Sequence, residues 1–242
     1  MSTHVLIYES LTFGFHTVRK HSALVFKVIL TLFALQFAYS TVASRYAHTI
    51  FGLFGAVVLA LALLAVAIGT TIITLRLACG ESARYVDIVP PPELAWKFLL
   101  SAVLTGLAIL LPIFVGSIIS GAIVLSTMDV FLTSGSDPFA AMPTTTQIPC
   151  VVVMALACVL AFYIFIRLMM VRYVILDRKG VVESLRESYR MTSRETLRLS
   201  LFVLVVLVCN LAGVMCFFVG ALVTLPVSLI AWAHIYLKLA HR

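Results

Sequence analysis

Four arginines, Arg186, Arg190, Arg194 and Arg198, recur every fourth residue within DRKGVVESLRESYRMTSRETLRLS, residues 177–200. That stretch carries ten of the chain's 27 charged residues. A guanidinium is a planar fork of donors matched to phosphate and carboxylate oxygens. A repeat of four keeps such groups on one side of a helix. Val181, Val182, Leu185 and Tyr189 form a second, apolar stripe. Glu183 with Arg186 and Glu187 with Arg190 are spaced to support a short helix by ion pairing. Thr192-x-x-Glu195 has the form of a capping box that ends this helix and begins another. The pattern predicts a helix lying in a membrane interface, apolar stripe in the acyl boundary and arginines at lipid phosphates or on a partner. The competing reading is a solvated, salt-bridged linker that only orients the chain.

Few other residues offer chemistry. Arg167 ends an apolar run, from which its head can reach the same phosphates. Asn210 lies within another and is expected to make a polar contact between helices. His234, beside Trp232 and Tyr236, fits an interfacial aromatic belt. No phosphate-cradling loop, zinc-binding HExxH, CxxC or nucleophile elbow is visible. The five cysteines show no metal or redox spacing. All ten acids lie outside the centres of the apolar runs, which argues against a proton relay. No catalytic residue, cofactor or metal is implied.

The elements that must position these residues are membrane helices. The chain has 62% hydrophobic and 11% charged residues, with a mean hydropathy of +1.14. Soluble domains are nearer a quarter charged, so the expected class is all-α: a polytopic transmembrane bundle with short cytoplasmic interfacial helices. The apolar runs do not alternate, which excludes barrel strands. Six spans are expected, at about 22–42, 49–76, 96–127, 148–174, 197–215 and 217–238. Residues 1–242 read as a single integral membrane domain. The first span is read as a retained helix, since the 21 residues before it are long for a signal-peptide n-region. The third run exceeds the hydrocarbon thickness and must tilt, kink near Pro112 and Gly116, or emerge. Its Ser101, Thr105, Ser117 and Ser120, with Gly106, Gly116 and Gly121, suit close helix packing. The fifth and sixth runs need a tight turn, marked by Gly213 and Gly220.

Charge placement sets the orientation. Sixteen of the 17 basic residues fall on one side of this six-span scheme, and only Arg45 falls on the other. The positive-inside rule then puts both termini in the cytoplasm and residues 128–147 outside, as in a bacterial inner-membrane protein. The arginines sit within a turn or two of span ends, so membrane topology accounts for them without nucleic acid.

An N-terminal helix over about 4–20 is expected before the first span, with Ile7, Leu11, Phe15 and Val18 on one face. The triplets Glu9-Ser10-Leu11, Glu81-Ser82-Ala83 and Glu183-Ser184-Leu185 each open a basic segment that leads into two spans. They allow a threefold repeat of surface helix plus span pair. FVG recurs out of phase with that scheme, at 114–116 and 218–220, so coincidence is the alternative.

The run YVILDRKGVVESLRESYRMT, with VGALVTLPVSLIAWAHIYLKL further on, resembles the C-terminal half of YciC-like bacterial inner-membrane proteins. These are similar to the membrane domain fused to some glycerophosphodiester phosphodiesterases. ITLRLACGES, after the second run, resembles the same pattern; the group's Pro-Gly pair in span three is replaced by Pro112 and Gly116. The resemblance implies a six-span bundle and transfers no catalytic residues. The expected function is a non-enzymatic structural or assembly factor, associated with anionic membrane phospholipids and with a membrane-protein partner or a second copy of itself. A small-solute transporter or channel is the alternative, and a membrane enzyme of lipid metabolism is a third.

Overall fold

The computed structural model describes residues 3–46, 49–125, 144–177, 180–193, 195–215 and 219–240. Among these the chain is helical, with no strand. The helices are α1 (Thr3–Lys20), α2 (Ser22–Tyr46), α3 (Ile50–Ala78), α4 (Pro92–Leu125), α5 (Thr144–Leu168), α6 (Val171–Leu176), α7 (Val181–Ser193), α8 (Thr196–Met215) and α9 (Val219–Ala240), with a 3₁₀ turn at Tyr85–Ile88. Six stretches are long and apolar enough to cross a membrane: Ser22–Tyr46, Ile50–Ala78, Pro92–Leu125, Gln147–Leu176, Thr196–Met215 and Gly220–Ala240. The protein is thus an all-α, multi-pass membrane bundle, with each span within a few residues of its expected place.

Local chemistry explains the helix ends. Thr49 caps α3 by accepting the Gly52 amide at 3.1 Å. At the other end, Gly80 takes φ +77°. Its amide reaches the Leu77 carbonyl at 3.2 Å and that of Glu81 reaches Arg76 at 2.9 Å. This double closure satisfies carbonyls at the helix end and needs the conformational freedom of glycine. The helix α4 continues through Pro112 for 34 residues. The fourth span is broken at Met169 and Met170, where one continuous helix was expected.

The chain divides into two compact units, Met1–Ser101 with Met170–Arg242, and Ala102–Met169. In the second unit α4 lies beside α5. A Cβ on Gly116 would come within 2.7 Å of the Ala157 Cβ, so a small residue is needed there. Gly106 and Gly121, read from sequence as further packing positions, meet no atom within 4 Å among the described residues.

In the first unit α9 is central. Of its apolar stretch 44% is buried, against 6–22% for the other five. It packs against α1, α2, α3 and α8. Val25, Val28 and Ile29 of α2 join Ile73 and Leu77 of α3, Ile88 and Ile230 in one core cluster. The hairpin of α8 and α9 is tight at its described end: a Cβ on Gly220 would lie 2.6 Å from the Gly213 carbonyl oxygen. Phe202 and Trp232 pack edge to face at 4.5 Å further along.

The N-terminal helix packs by a different face from the one its apolar spacing suggests. Ile7, Ser10, Gly14 and Thr17 are buried, and Tyr8 and Phe15 are exposed. The reason is distance. A Cβ on Gly14 would stand 2.6 Å from the Val227 carbonyl oxygen, so the backbones of α1 and α9 meet where side chains are smallest. Glu9 pairs with Lys238 at 2.6 Å, and Phe13 stacks on His234 at 4.3 Å. His234, Trp232 and Tyr236 therefore pack inward, rather than standing outward as a belt.

Candidate functional site

The helix α7 places the arginine stripe, and it packs on the bundle through its small hydroxyl residues. Ser184, Ser188 and Thr192, four residues apart, have no exposed surface. The Ser184 hydroxyl donates to the Gly180 carbonyl at 2.8 Å, and that of Thr192 to the Ser188 carbonyl at 2.8 Å. Hydroxyls returned to their own helix leave a small surface with little polar demand. That surface lies against α6 and, less extensively, α8. Val182 (75% exposed) and Tyr189 (50%), with Glu183 and Arg186, are turned outward. The apolar residues of this helix thus share its free face with charge.

Thr192 does not start the following helix. It lies in the last turn of α7, and α8 begins at Thr196. The Glu195 carboxylate accepts two hydrogen bonds from Arg198, at 3.0 and 2.8 Å.

The arginines are not equivalent. Arg190 pairs with Glu187 at 3.0 Å, with most of its side chain exposed. Arg198 pairs with Glu195 at 2.8 Å. Arg186 is exposed, with no ion pair among the described residues, and Arg194 lies outside them. Arg167 belongs to the second unit and is buried. It donates to the Tyr163 hydroxyl at 2.6 Å and lies over that ring at 4.9 Å. Asn210 meets the expectation of an interhelical contact: its amide donates to the Ser228 hydroxyl of α9 at 3.2 Å.

Where α6, α7, α8 and α9 end or begin, they enclose a partly open cleft of about 720 Å³. Asp177, Glu187, Arg190, Glu195 and Tyr236 supply its polar wall, and Val174, Met191 and Leu239 its apolar wall. Tyr236 donates to Asp177 at 2.5 Å and stacks on Tyr173 with centroids 5.2 Å apart. Sequence reasoning missed this cleft. Asp177 and Tyr236 are 59 residues apart, beyond any local spacing rule. The one available signal was a tyrosine and an acid each flanking a span end.

Among the described residues, no group of three or more His, Cys, Asp and Glu side chains could hold a metal ion. The arrangement offers cation and anion recognition beside an apolar wall. No curated protein and no solved structure matches the chain. Residues 141–239, which contain α5 to α8 and nearly all of α9, match the family model described as the membrane domain of glycerophosphoryl diester phosphodiesterase, in agreement with the resemblance read from the sequence.

Proposed function

We propose that the protein is a non-enzymatic, lipid-associated structural factor of a bacterial inner membrane, with both termini cytoplasmic and α7 lying against the inner leaflet. One observation carries this reading. The helix α7 is fastened to the bundle by small hydroxyl residues, and Val182, Arg186 and Tyr189 face outward together. An apolar residue, a cation and an amphipathic aromatic on one free helix face suit the boundary between acyl chains and phosphates. Anionic phospholipid is the partner this face fits. Arg186 carries most of the attraction, on the order of 1 kcal/mol for one basic residue near an anionic surface. Arg190 and Arg198 add less, because glutamates already offset them.

Lipid retention tests the reading. Protein extracted from mixed vesicles should keep phosphatidylglycerol over phosphatidylcholine, less so at high salt. Arg186→Gln should weaken that preference and Arg186→Lys should largely keep it, because the charge remains. Equal retention by wild type and Arg186→Gln would remove the basis for the proposal.

A further inference from the structure

We propose that the cleft between α6, α7 and α9 holds the head group of a phospholipid bearing a primary ammonium, with that ammonium on Asp177 and the phosphate toward Arg190. The proposal deepens the lipid-facing reading of α7 and rests on it. Three observations converge. The cleft, at about 720 Å³, falls in the range of about 300–1,000 Å³ typical of small-molecule sites. Its walls are amphipathic: Met191 and Leu239, both partly exposed, can take the first carbons of a lipid, and charged and polar groups line much of the remainder. It also lies at span ends, since Gln147–Leu176 and Gly220–Ala240 both terminate there. Head groups occupy that level of a bilayer.

Charge selects the kind of head group. Glu187 and Arg190 pair with each other across 3.0 Å, and Arg198 offsets Glu195. Asp177 is different. It accepts a hydrogen bond from the neutral Tyr236 hydroxyl and makes no ion pair among the described residues. A carboxylate whose partner among the described residues is a neutral hydroxyl, set beside an apolar wall, attracts a cation, and one that donates hydrogen bonds satisfies its remaining lone pairs. A primary ammonium does so, and a trimethylated one cannot. Arg190, with most of its side chain exposed, can still offer donors to a phosphate.

The test uses the full chain in nanodiscs holding equal phosphatidylethanolamine, phosphatidylcholine and phosphatidylglycerol, followed by native mass spectrometry of the lipid retained in detergent. Wild type should hold phosphatidylethanolamine roughly tenfold over phosphatidylcholine, as one charge-assisted hydrogen bond allows. Asp177→Asn should bring the two to parity. Phosphatidylglycerol retention should respond to Arg186→Gln and not to Asp177→Asn, so that failure of this site and failure of the leaflet contact are separable. Parity in wild type overturns the proposal whether or not the variants fold. A preference unchanged by Asp177→Asn overturns it too. So does Asp177-dependent binding of spermidine or magnesium without retained phosphatidylethanolamine, which would make a soluble cation the occupant.

Discussion

Asp87 joins two segments that the sequence separates by a loop. Its carboxylate accepts the Arg84 amide at 2.9 Å and meets Arg76 of α3 at 2.8 Å. The Arg84 amide, and then the Arg76 guanidinium, hold its carboxyl below the ordinary carboxylate range. A carboxyl whose folded-state affinity for protons is lowered stabilises the fold above its unfolded value, near pH 4. That contribution disappears as pH falls through the lower, folded value. The loop carrying Tyr85 and Ile88 should therefore stay protected at neutral pH and loosen only in acid. Asp87→Asn should loosen it at neutral pH and abolish the acid-dependent step, as followed by hydrogen exchange of residues 84–89. An acid-dependent step that survives in Asp87→Asn would assign it to another group. Glu9, held low by its bond to Lys238, titrates in the same direction, so the measurement must resolve residues 84–89 separately from α1.

At the scale of elements, α1 and α7 share a construction. Each buries a stripe of small residues, Ser10, Gly14 and Thr17 in one and Ser184, Ser188 and Thr192 in the other, and turns aromatic residues outward. Glu9-Ser10 and Glu183-Ser184 stand at corresponding places, each with a fully buried serine, whereas Ser82 is exposed and outside any helix. Two members of the expected threefold repeat thus share a structure and the third does not. Widening the stripe should detach the helix. Ser188→Leu inserts a bulky side chain where no space is free, and such overpacking costs about 1–3 kcal/mol. Ser188→Ala keeps the volume and should be nearly neutral. Faster proteolysis within 181–193 in Ser188→Leu alone is the expected result, and equal rates in both variants would count against the packing described. This packing also explains which faces were illegible in the sequence. Apolar spacing identifies a buried face only where helices are separated by large side chains; where backbones approach closely, small polar residues lie inside and apolar ones remain outside. Ile7 fits both patterns, while Tyr8, Phe15 and Val182 do not fit the simpler one.

For the whole molecule, the six spans were legible because a bilayer imposes a length and an apolar requirement on each helix. The close approach of Gly213 and Gly220 and the Asn210 contact were legible too, since both are local demands of a tight hairpin. The Asp177–Tyr236 cleft was not, because it is assembled by tertiary packing of four helix ends. The proposed orientation follows from charge asymmetry and has a direct test. With native cysteines removed, an impermeant thiol reagent on intact cells should label a cysteine at Ser136 and spare one at Glu183; the reverse result would invert the topology. The central claim, that the outward face of α7 meets the leaflet, is tested most directly by depth quenching. A fluorophore placed singly at Val182, Arg190 or Ser193 is read in nanodiscs containing phosphatidylglycerol and nitroxide-labelled lipid. The account predicts strong quenching at Val182, and also at Ser193 on the same helix face, by nitroxides near the head of the acyl chain. Equal, weak quenching at all three positions, with the dyes open to aqueous iodide, would contradict it and leave α7 a solvated linker.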